Sequence, residues 1–249
     1  MMKISIITPS IRKDFLPIIE RCLARQTFPI DEYEWIVISP EDWGYGIWIK
    51  DPSKRKGDFY NLNKAWNAGL KEASGELFVS IVDGLWFSPD TLERLWNHYR
   101  ANPTSCISLA GHHYSEIENG KPEHLVWVDP KLKSNGKLEQ IKPVDFELCV
   151  ASLPIEGVYK VGKFDLEFDK FPAWGEKELA CRMEKVGYKF YIDQGTEFRA
   201  IHHDKLSKDW DDKFPLSTAY FQKCYQEIQN GKRLCIDNFR EKEYKNGKA

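Results

Sequence analysis

A short apolar run that ends on an acid constrains this chain more than any other stretch. Residues 77–82 read L-F-V-S-I-V, and Asp83 follows them directly. A run this short, rich in β-branched and aromatic residues, is typical of a strand that is buried on both faces, as in a parallel sheet. Ligands of such sheets bind at the carboxyl ends of the strands. The stretch therefore predicts a buried strand whose final acid belongs to a binding site.

The residues after Asp83 predict a turn and then a helix. Ser88 is placed to cap the helix, Pro89 to occupy its first position, and Asp90 to add an acid to its first turn. The apolar spacing continues this helix to about Tyr99. Strand, acidic turn and helix together are typical of a ligand site in an α/β protein.

The rest of the chain alternates between short apolar runs and amphipathic stretches. This alternation predicts crossover connections, and so an α/β protein with a mostly parallel central sheet flanked by helices. We expect one domain over residues 1–205 and a helical C-terminal extension over residues 206–249, packed on the same domain. The predicted strands cover residues 3–8, 33–38, 77–82, 105–110 and 188–192, and the predicted helices are one capped by Asp14, those over residues 60–73, 88–99 and 175–186, and two more stretches after Pro215.

Two loop regions carry further signals. Residues 39–58 are rich in glycine, tryptophan, proline and charge, and they include a basic cluster between Lys50 and Lys56. A solvated loop is the default interpretation of this cluster, and a loop that faces phosphate is the alternative. Residues 111–144 are rich in turn dipeptides, which predicts a β-excursion that could border an acceptor site.

Composition narrows the function classes. The net charge of −2 gives no support for a protein that binds nucleic acid or membranes mainly by electrostatics. No apolar run approaches the ~20 residues needed to cross a bilayer, and no leader pattern precedes the first strand. The six cysteines are scattered without a C-x-x-C pair, which favours reduced thiols over a disulfide framework. We therefore expect a cytoplasmic protein with no membrane span.

An ordered set of short motifs accompanies these patterns. The motifs are I-S-I-I-T-P-S at residues 4–10, Q-T-F at 26–28, A-W-N-A-G at 65–69, A-S-G-E-L at 73–77, V-D-G-L at 82–85, G-K-F-D-L-E-F-D at 162–169, W-G-E-K-E-L-A-C-R at 174–182 and I-H-H-D at 201–204. In this order they resemble the motifs of family 2-type glycosyltransferases with the GT-A fold. The form D-G-L-W-F-S-P resembles a subset met in bacteria and their phages, which implies the cytosol of a bacterium or of a phage-infected host.

The resemblance implies a transferase that moves a sugar from a nucleoside diphosphate donor, with UDP expected, to a hydroxyl acceptor. It also implies a divalent cation, Mn²⁺ or Mg²⁺, as cofactor. The family usually carries D-x-D after the central strand, and here Leu85 replaces the second acid. With few protein ligands, such a cation takes the rest of its shell from phosphate and water. Metal-free binding through lysine or arginine is the competing arrangement.

The family's usual E-D pair near the later helix is also altered. A register set on Leu179 and Arg182 places Glu176 at the position of the catalytic base. Glu178 is then the other catalytic acid, but it lies about 200° further around a helix, so the two cannot face one substrate atom. The alternative for Glu176 is a carboxylate that only complements the helix dipole.

The resemblance also implies roles for residues at strand ends and in the motifs. Asp83 can bind a divalent cation or a ribose hydroxyl, and His202 is a candidate metal ligand through a neutral imidazole nitrogen. The alternatives are a turn acid before a helix and a histidine pair on a surface loop. The expected donor-binding residues are Pro9, Ser10, Arg12, Glu41, Asp42, Asn67 and Asp83.

The favoured function is glycosyl transfer with inversion, since the motifs supply one base and no evident nucleophile on the other face. The acceptor is open among a glycan, a protein and a hydroxymethylated base of phage DNA, although the net charge argues against tight non-specific DNA binding. The alternative is a catalytically silent GT-A module that binds a nucleotide sugar or a glycan. A nucleotidyltransferase is a weaker third possibility, because residues 8–13 lack the glycines of its basic loop.

Overall fold

The structure, a computed structural model, describes residues 2–53, 62–118, 121–201 and 210–236. Its strands are β1 (Ile4–Pro9), β2 (Tyr33–Ser39), β3 (Ile47–Lys50), β4 (Leu77–Ile81), β5 (Leu85–Phe87), β6 (Ser105–Ser108), β7 (Gly111–Glu118), β8 (Lys121–Val128), β9 (Leu138–Ile141), β10 (Val150–Pro154), β11 (Lys189–Asp193) and β12 (Phe198–Ile201). Its α-helices are α1 (Leu16–Leu23), α2 (Leu62–Glu72), α3 (Thr91–Ala101), α4 (Ile155–Lys160), α5 (Gly175–Lys185) and α6 (Trp210–Gln229).

The larger sheet places its eight strands in the order β3-β2-β1-β4-β10-β6-β11-β9. The first four strands in this order are parallel, whereas β10 runs antiparallel to both β4 and β6. β6 and β11 are again parallel, and β9 closes the sheet in the antiparallel sense. The predicted α/β architecture is confirmed, and its parallel half is the one that contains β4 and Asp83.

Helices cover both faces of this sheet. Helices α1 and α3 contribute to one hydrophobic cluster, while α2 and α5 contribute to the other. In β4, Phe78 belongs to one cluster and Val79 to the other, and both are fully buried. Since side chains alternate across a strand, a strand covered on both faces must be mostly apolar, as the sequence of β4 indicates. Its one polar side chain, Ser80, is buried and donates a hydrogen bond to the Leu148 carbonyl.

A second, four-stranded sheet has the order β5-β12-β7-β8. β12 pairs antiparallel with β5 and parallel with β7, and β7 pairs antiparallel with β8. The predicted β-excursion over residues 111–144 contains β7, β8 and β9. Because β5 begins two residues after Asp83, this sheet extends away from the carboxyl edge of the central one.

The C-terminal part of the described chain is one long helix. α6 runs through Pro215 from Trp210 to Gln229, so the first of the two helical stretches predicted from about Pro215 belongs to a longer helix that begins earlier. A second stretch beyond residue 236 would lie outside the described residues. Apolar residues on one side of α6 hold it in place through a third cluster, which contains Phe168, Cys181, Phe221, Cys224 and Ile228. None of the described helices, α6 included, is long and apolar enough to cross a membrane.

Two helix starts differ from the prediction. After Asp83 the chain first forms β5, and α3 begins only at Thr91, so Pro89 precedes the helix. β5 is held by pairing with β12, more than 100 residues later, and the Thr91 amide donates to the Ser88 carbonyl at 3.1 Å, so residues 88–91 form a turn before the helix. Asp14 lies in a 3-10 turn, Lys13–Phe15, and α1 begins after it at Leu16.

Candidate active site

Three predicted donor-site residues meet beyond the ends of β1 and β4. These strands are parallel neighbours, so their carboxyl ends lie at one edge of the sheet. Ser10 Oγ donates a hydrogen bond to Asp83 Oδ2 at 2.7 Å, and Arg12 Nε donates to the same oxygen at 3.1 Å. Arg12 Nη2 forms an ion pair with Asp83 Oδ1. The result is a guanidinium, a hydroxyl and a carboxylate at the position where ligands of α/β sheets bind.

The chain turns sharply after Asp83. Gly84 has a left-handed backbone with φ of 74°, a conformation that glycine adopts without steric cost. This turn leads into β5, where Leu85 is buried in the core. The residue that replaces the second acid of D-x-D therefore has no access to a ligand at the sheet edge.

The predicted cation ligand at this edge, Asp83, is already paired with protein groups. Both oxygens of Asp83 accept hydrogen bonds from Arg12 or Ser10, and Leu85 offers no ligand atom. Hard cations in proteins are held by several oxygen ligands. His202, the other predicted ligand, lies outside the described residues. The chemical steps proposed for this chain therefore use its own described side chains.

The predicted donor residues that follow β2 are less enclosed. Glu41 and Asp42 are exposed. The backbone carbonyl of Glu41 accepts from Ser39 Oγ at 2.6 Å, and Asp42 Oδ1 accepts from the Gly44 amide at 2.9 Å. Pro9, the last residue of β1, is buried. Turn formation accounts for the observed contacts of Glu41 and Asp42, and their donor-binding role stays a prediction.

Asp51 is a buried carboxylate at the same edge that sequence reasoning missed. It follows β3, and its amide donates to the Ser39 carbonyl at 2.9 Å. Its Oδ1 accepts from the Ser53 amide at 2.8 Å. The available signal was its place directly after the apolar residues of β3, as for Asp83 after β4.

Asn67 lies in α2, where its amide holds the opposite loop. Its Nδ2 donates to the Phe164 carbonyl at 2.9 Å, and its Oδ1 accepts from the Phe164 amide at 3.0 Å. Asn67 is buried. These two bonds give it a structural role in joining α2 to the loop before α5, and they offer no support for its predicted contact with the donor.

Glu176 lies in the first turn of α5 and is partly buried. Burial raises the pKa of its carboxyl, and the nearby carboxylate of Glu147 raises it further, whereas Lys177 and Lys131 act in the opposite direction. A carboxyl whose pKa is raised toward neutrality is better matched to proton transfer at physiological pH. Glu176 is therefore chemically suited to accept a proton.

Glu178 has a different environment from Glu176. It is fully buried, and Arg182 donates to it through Nε at 2.9 Å and Nη2 at 2.7 Å. Arg233 Nε donates to Glu178 Oε1 at 2.7 Å and Arg233 also pairs with Asp165. Both oxygens of Glu178 are thus held by arginines. This geometry argues against its predicted catalytic role and indicates a structural one.

A charged cluster surrounds the position of Glu176. Lys131 Nζ pairs with Glu147 Oε1 at 2.6 Å and lies 3.8 Å from Asp129 Oδ2. Lys177 Nζ lies 3.8 Å from the same oxygen of Glu147. Asp129 and Lys131 come from the predicted excursion, Glu147 from the loop before β10, and Lys177 from α5. Sequence reasoning placed the excursion near an acceptor but did not identify its charged residues.

Cys149 connects this cluster to the Asp83 site. Its carbonyl accepts a hydrogen bond from the amide of Val82, the residue before Asp83, at 3.1 Å. Burial raises the pKa of the Cys149 thiol to about 12, and the negative charges of Glu147 and Glu176 contribute to that rise. The backbone next to Asp83 therefore contacts Cys149, and Glu147 and Glu176 lie close enough to act on the same thiol by their charge.

Part of the predicted site lies outside the described residues. This applies to His202 and to the part of the basic cluster at residues 54–56. Lys50 is described and is exposed at the end of β3. The phosphate-facing role of the basic cluster stays a prediction.

Comparisons with known proteins bear on this arrangement. Residues 54–153 match the family model described as Glycosyl transferase family 2. S. aureus TarS 1-349 in complex with UDP-GlcNAc superposes with a TM-score of 0.61 at 12% identity, covering 92% of this chain and 72% of that one. The complex of the same protein with UDP gives a TM-score of 0.58 at 12% identity and covers 98% of this chain and 78% of that one.

A third solved structure is GalNAc-T7 with UDP, GalNAc and Mn²⁺. It superposes with a TM-score of 0.61 at 12% identity over 92% of this chain and 51% of that chain. The chain has a GT-A glycosyltransferase fold. The resemblance of the GT-A motifs to family 2-type glycosyltransferases is thereby confirmed. No curated protein sequence matches the chain.

The GT-A fold explains why the candidate residues converge. In the sequence, Arg12 and Asp83 are 71 residues apart, and Glu176 lies further still along the chain. The parallel strands β1 and β4 bring the first two together, and antiparallel β10, next to β4, brings Cys149 and its charged neighbours to the same edge.

Proposed function

We propose that this GT-A protein transfers a sugar from a nucleoside diphosphate donor, with UDP as the nucleotide, to a hydroxyl acceptor. One observation carries the proposal. The Ser10–Arg12–Asp83 group lies at the carboxyl edge of the sheet, where the amide of Val82, next to Asp83, donates to the Cys149 carbonyl at 3.1 Å, and Glu176 lies close enough to Cys149 for its charge to raise the pKa of that thiol. The structural neighbours with bound UDP or UDP-sugar support a nucleotide-sugar donor.

The donor end of the site is the Ser10–Arg12–Asp83 group. A guanidinium binds phosphate or carboxylate oxygens through two parallel N–H groups. Arg12 is partly exposed, and its guanidinium lies 4.6 Å from the centre of the Phe15 ring. Asp83 orients this guanidinium in the free protein. Arg12 then binds the leaving diphosphate and neutralises its negative charge. Asp83 holds Arg12 in place or accepts a hydrogen bond from a ribose hydroxyl.

The acceptor end is Glu176. Its carboxylate takes the proton from the acceptor hydroxyl while the acceptor oxygen attacks the anomeric carbon and the bond from that carbon to the diphosphate oxygen breaks. A single displacement of this kind inverts the anomeric centre. A positioned carboxylate contributes about 10²–10⁴-fold to such a proton transfer.

A divalent cation stays a separate prediction, based on Asp83 and His202. When bound, a cation would supply positive charge for the leaving diphosphate. The neighbour GalNAc-T7 is solved with Mn²⁺. Of Asp83 and His202, the described part of the chain contains Asp83, which is already paired with Arg12. Arg12 is therefore the group proposed to neutralise the charge of the leaving diphosphate.

The acceptor remains defined only by its hydroxyl. The Lys131, Glu147 and Lys177 cluster beside Glu176 suits a polar acceptor. A glycan, a protein and a hydroxymethylated base of phage DNA all supply such a hydroxyl, and the bacterial and phage subset stays a prediction.

A catalytically silent module that binds nucleotide sugars is the second candidate. The observation that favours it is the burial of Leu85 where the family places an acid. The test is an assay of UDP release from a panel of UDP-sugars, with Glu176→Gln as the comparison. Turnover that Glu176→Gln abolishes supports the transferase. UDP binding without turnover in the presence of glycan, protein and DNA acceptors supports the module.

A further inference from the structure

A strained turn leads directly into Glu176. Ala173 and Trp174 both have left-handed backbones, with φ of 65° and 70°. The Trp174 carbonyl accepts the first hydrogen bond of α5, from the Glu178 amide at 2.9 Å. Neither residue is glycine, so each side chain opposes this conformation. Consecutive residues of this kind persist only where the surrounding structure holds them, and such positions cluster at functional sites.

Helix α6 makes the polar contacts that hold this turn. Ser217 Oγ donates to the Ala173 carbonyl at 3.3 Å, and Ser217 is fully buried. The indole Nε1 of Trp174 donates to Thr218 Oγ1 at 3.2 Å. Two adjacent residues of α6 thus bond the two adjacent residues of the turn.

The same helix also packs on the Trp174 ring. Phe221 stacks on it with a centroid distance of 5.0 Å and an interplanar angle of 17°, and Phe214 lies 6.0 Å away. Stacking of this kind restricts the ring beyond what burial alone achieves. We call Ser217, Thr218 and Phe221 the α6 clamp.

Further polar contacts fix α6, which carries the α6 clamp, to the rest of the protein. Tyr220 Oη donates to Asp165 Oδ2 at 2.9 Å. Arg233, four residues after α6, bonds both Asp165 and Glu178. Through Tyr220 and Arg233, α6 and the segment after it contact Asp165 and Glu178. The helix that carries Glu176 is therefore held both at its first turn and at Glu178.

We propose that the α6 clamp is a positioning element for Glu176. It holds residues 173–174 in their left-handed conformation, and this conformation sets the direction in which α5 begins and the enclosure of the Glu176 carboxylate. The inference rests on the proposed function of Glu176 as the base. The clamp lies outside the family match over residues 54–153 and outside the motifs over residues 4–204, so it is an addition to the shared site.

The test removes the clamp's polar contacts and then relieves the strain. The variant Ser217→Ala/Thr218→Val loses both hydrogen bonds to the turn. Adding Ala173→Gly supplies a residue that adopts the left-handed conformation without steric cost. Gln222→Ala, at an exposed position of α6, is the matched control. If circular dichroism shows that the double variant does not fold, Trp174→Phe replaces it, because it keeps an aromatic ring next to Phe221 and removes the N–H that bonds Thr218.

The main readout is the carboxyl titration of Glu176 by ¹³C NMR, assigned with Glu176→Gln. In the unaltered protein its pKa should lie above the ordinary glutamate value of about 4.3. In the clamp variant it should move back toward that value, because the carboxylate becomes more hydrated, and Ala173→Gly should restore the higher pKa. The turnover number for UDP release should fall by about 10- to 100-fold, with UDP affinity unchanged.

The outcomes separate this inference from the proposed function. A folded clamp variant with an unchanged Glu176 titration overturns the inference, as does a loss that Ala173→Gly leaves as large as before. If Glu176→Gln itself keeps full turnover, the assignment of the base fails. The titration still reports whether the α6 clamp positions Glu176 in that case.

Discussion

Arg182 Nη2 lies 2.7 Å from Glu178 Oε2, and both side chains are fully buried. A second arginine, Arg233 in the segment after α6, contacts the same carboxylate, with its Nε 2.7 Å from Glu178 Oε1. Glu176, two residues earlier, has no such pair of arginines among its described contacts and lies beside a charged cluster. This difference separates the two acids of W-G-E-K-E: Glu178 holds α5 in place, and Glu176 is available for chemistry.

We expect Glu178→Gln to destabilise the fold. It removes the charge of a carboxylate that both Arg182 and Arg233 contact, and breaking a buried ion pair from one side costs about 3–5 kcal/mol. Urea unfolding at neutral pH measures the loss. Glu184→Gln, at an exposed position of the same helix, should change stability by less than about 0.5 kcal/mol. A Glu178→Gln protein of normal stability without sugar transfer would instead make Glu178 the base.

Asp83→Asn should reduce sugar transfer by about 10²-fold or more, because it removes the charge that orients Arg12 toward the diphosphate. Asparagine keeps the size of the side chain, so circular dichroism should show an intact fold. The measurement is the turnover number for UDP release from the best UDP-sugar. Near-normal turnover in this variant would rule out the assigned role of Asp83.

The positive charge beside the diphosphate could come from Arg12 or from a metal ion, and the two cases predict opposite effects of EDTA on UDP binding. If Arg12 supplies the positive charge, UDP affinity measured by calorimetry should persist in EDTA and fall about tenfold or more in Arg12→Gln, since a charge-assisted hydrogen bond contributes about 1.5–3 kcal/mol. Arg12→Lys, which keeps the charge, should lose less. The opposing result is UDP binding that requires Mn²⁺ and that His202→Ala weakens far more than His203→Ala.

Asp193 makes the fold sensitive to acid. Burial alone would raise the pKa of its carboxyl, but hydrogen bonds from His98 and Arg94 outweigh burial and lower it. The Asp193 carboxylate then binds a proton more readily in the unfolded state than in the folded state. Ionised Asp193 therefore stabilises the fold above about pH 4, and this stabilisation is lost as pH falls below that value. Asp193→Asn should cost about 2–4 kcal/mol at pH 7. Urea unfolding at pH 7 and pH 3 checks this, because a gap that does not narrow at pH 3 contradicts the account.

The central parts of the fold could be predicted because their signals are local. The run before Asp83 is apolar on both sides of its backbone. Such a pattern is expected of a strand whose two faces are both covered by helices. Amphipathic spacing similarly predicted α2 and α5 within two residues of their observed bounds. The position of Asp83 at a strand end predicted a site residue, and the family resemblance implied donor-site roles for Ser10 and Arg12, which contact Asp83 in the structure.

Other features depend on partners that are distant in sequence. β5 has only three residues, and its strand conformation depends on pairing with β12. The environment of Glu178 is set by Arg233, 55 residues later. The left-handed turn at Ala173 and Trp174 carries no glycine or asparagine to announce it. Local patterns could not show these features, because tertiary contacts create them.

The most direct measurement is the pH dependence of single-turnover UDP-sugar cleavage by the unaltered protein and by Glu176→Gln. Because burial raises the pKa of Glu176, the rate of the unaltered protein should fall as pH decreases through a value above about 4.3. Glu176→Gln should lose about 10²–10⁴-fold in rate, lose this pH dependence and keep its UDP affinity. A Glu176→Gln protein with an unchanged rate and the same acid limb would contradict the account.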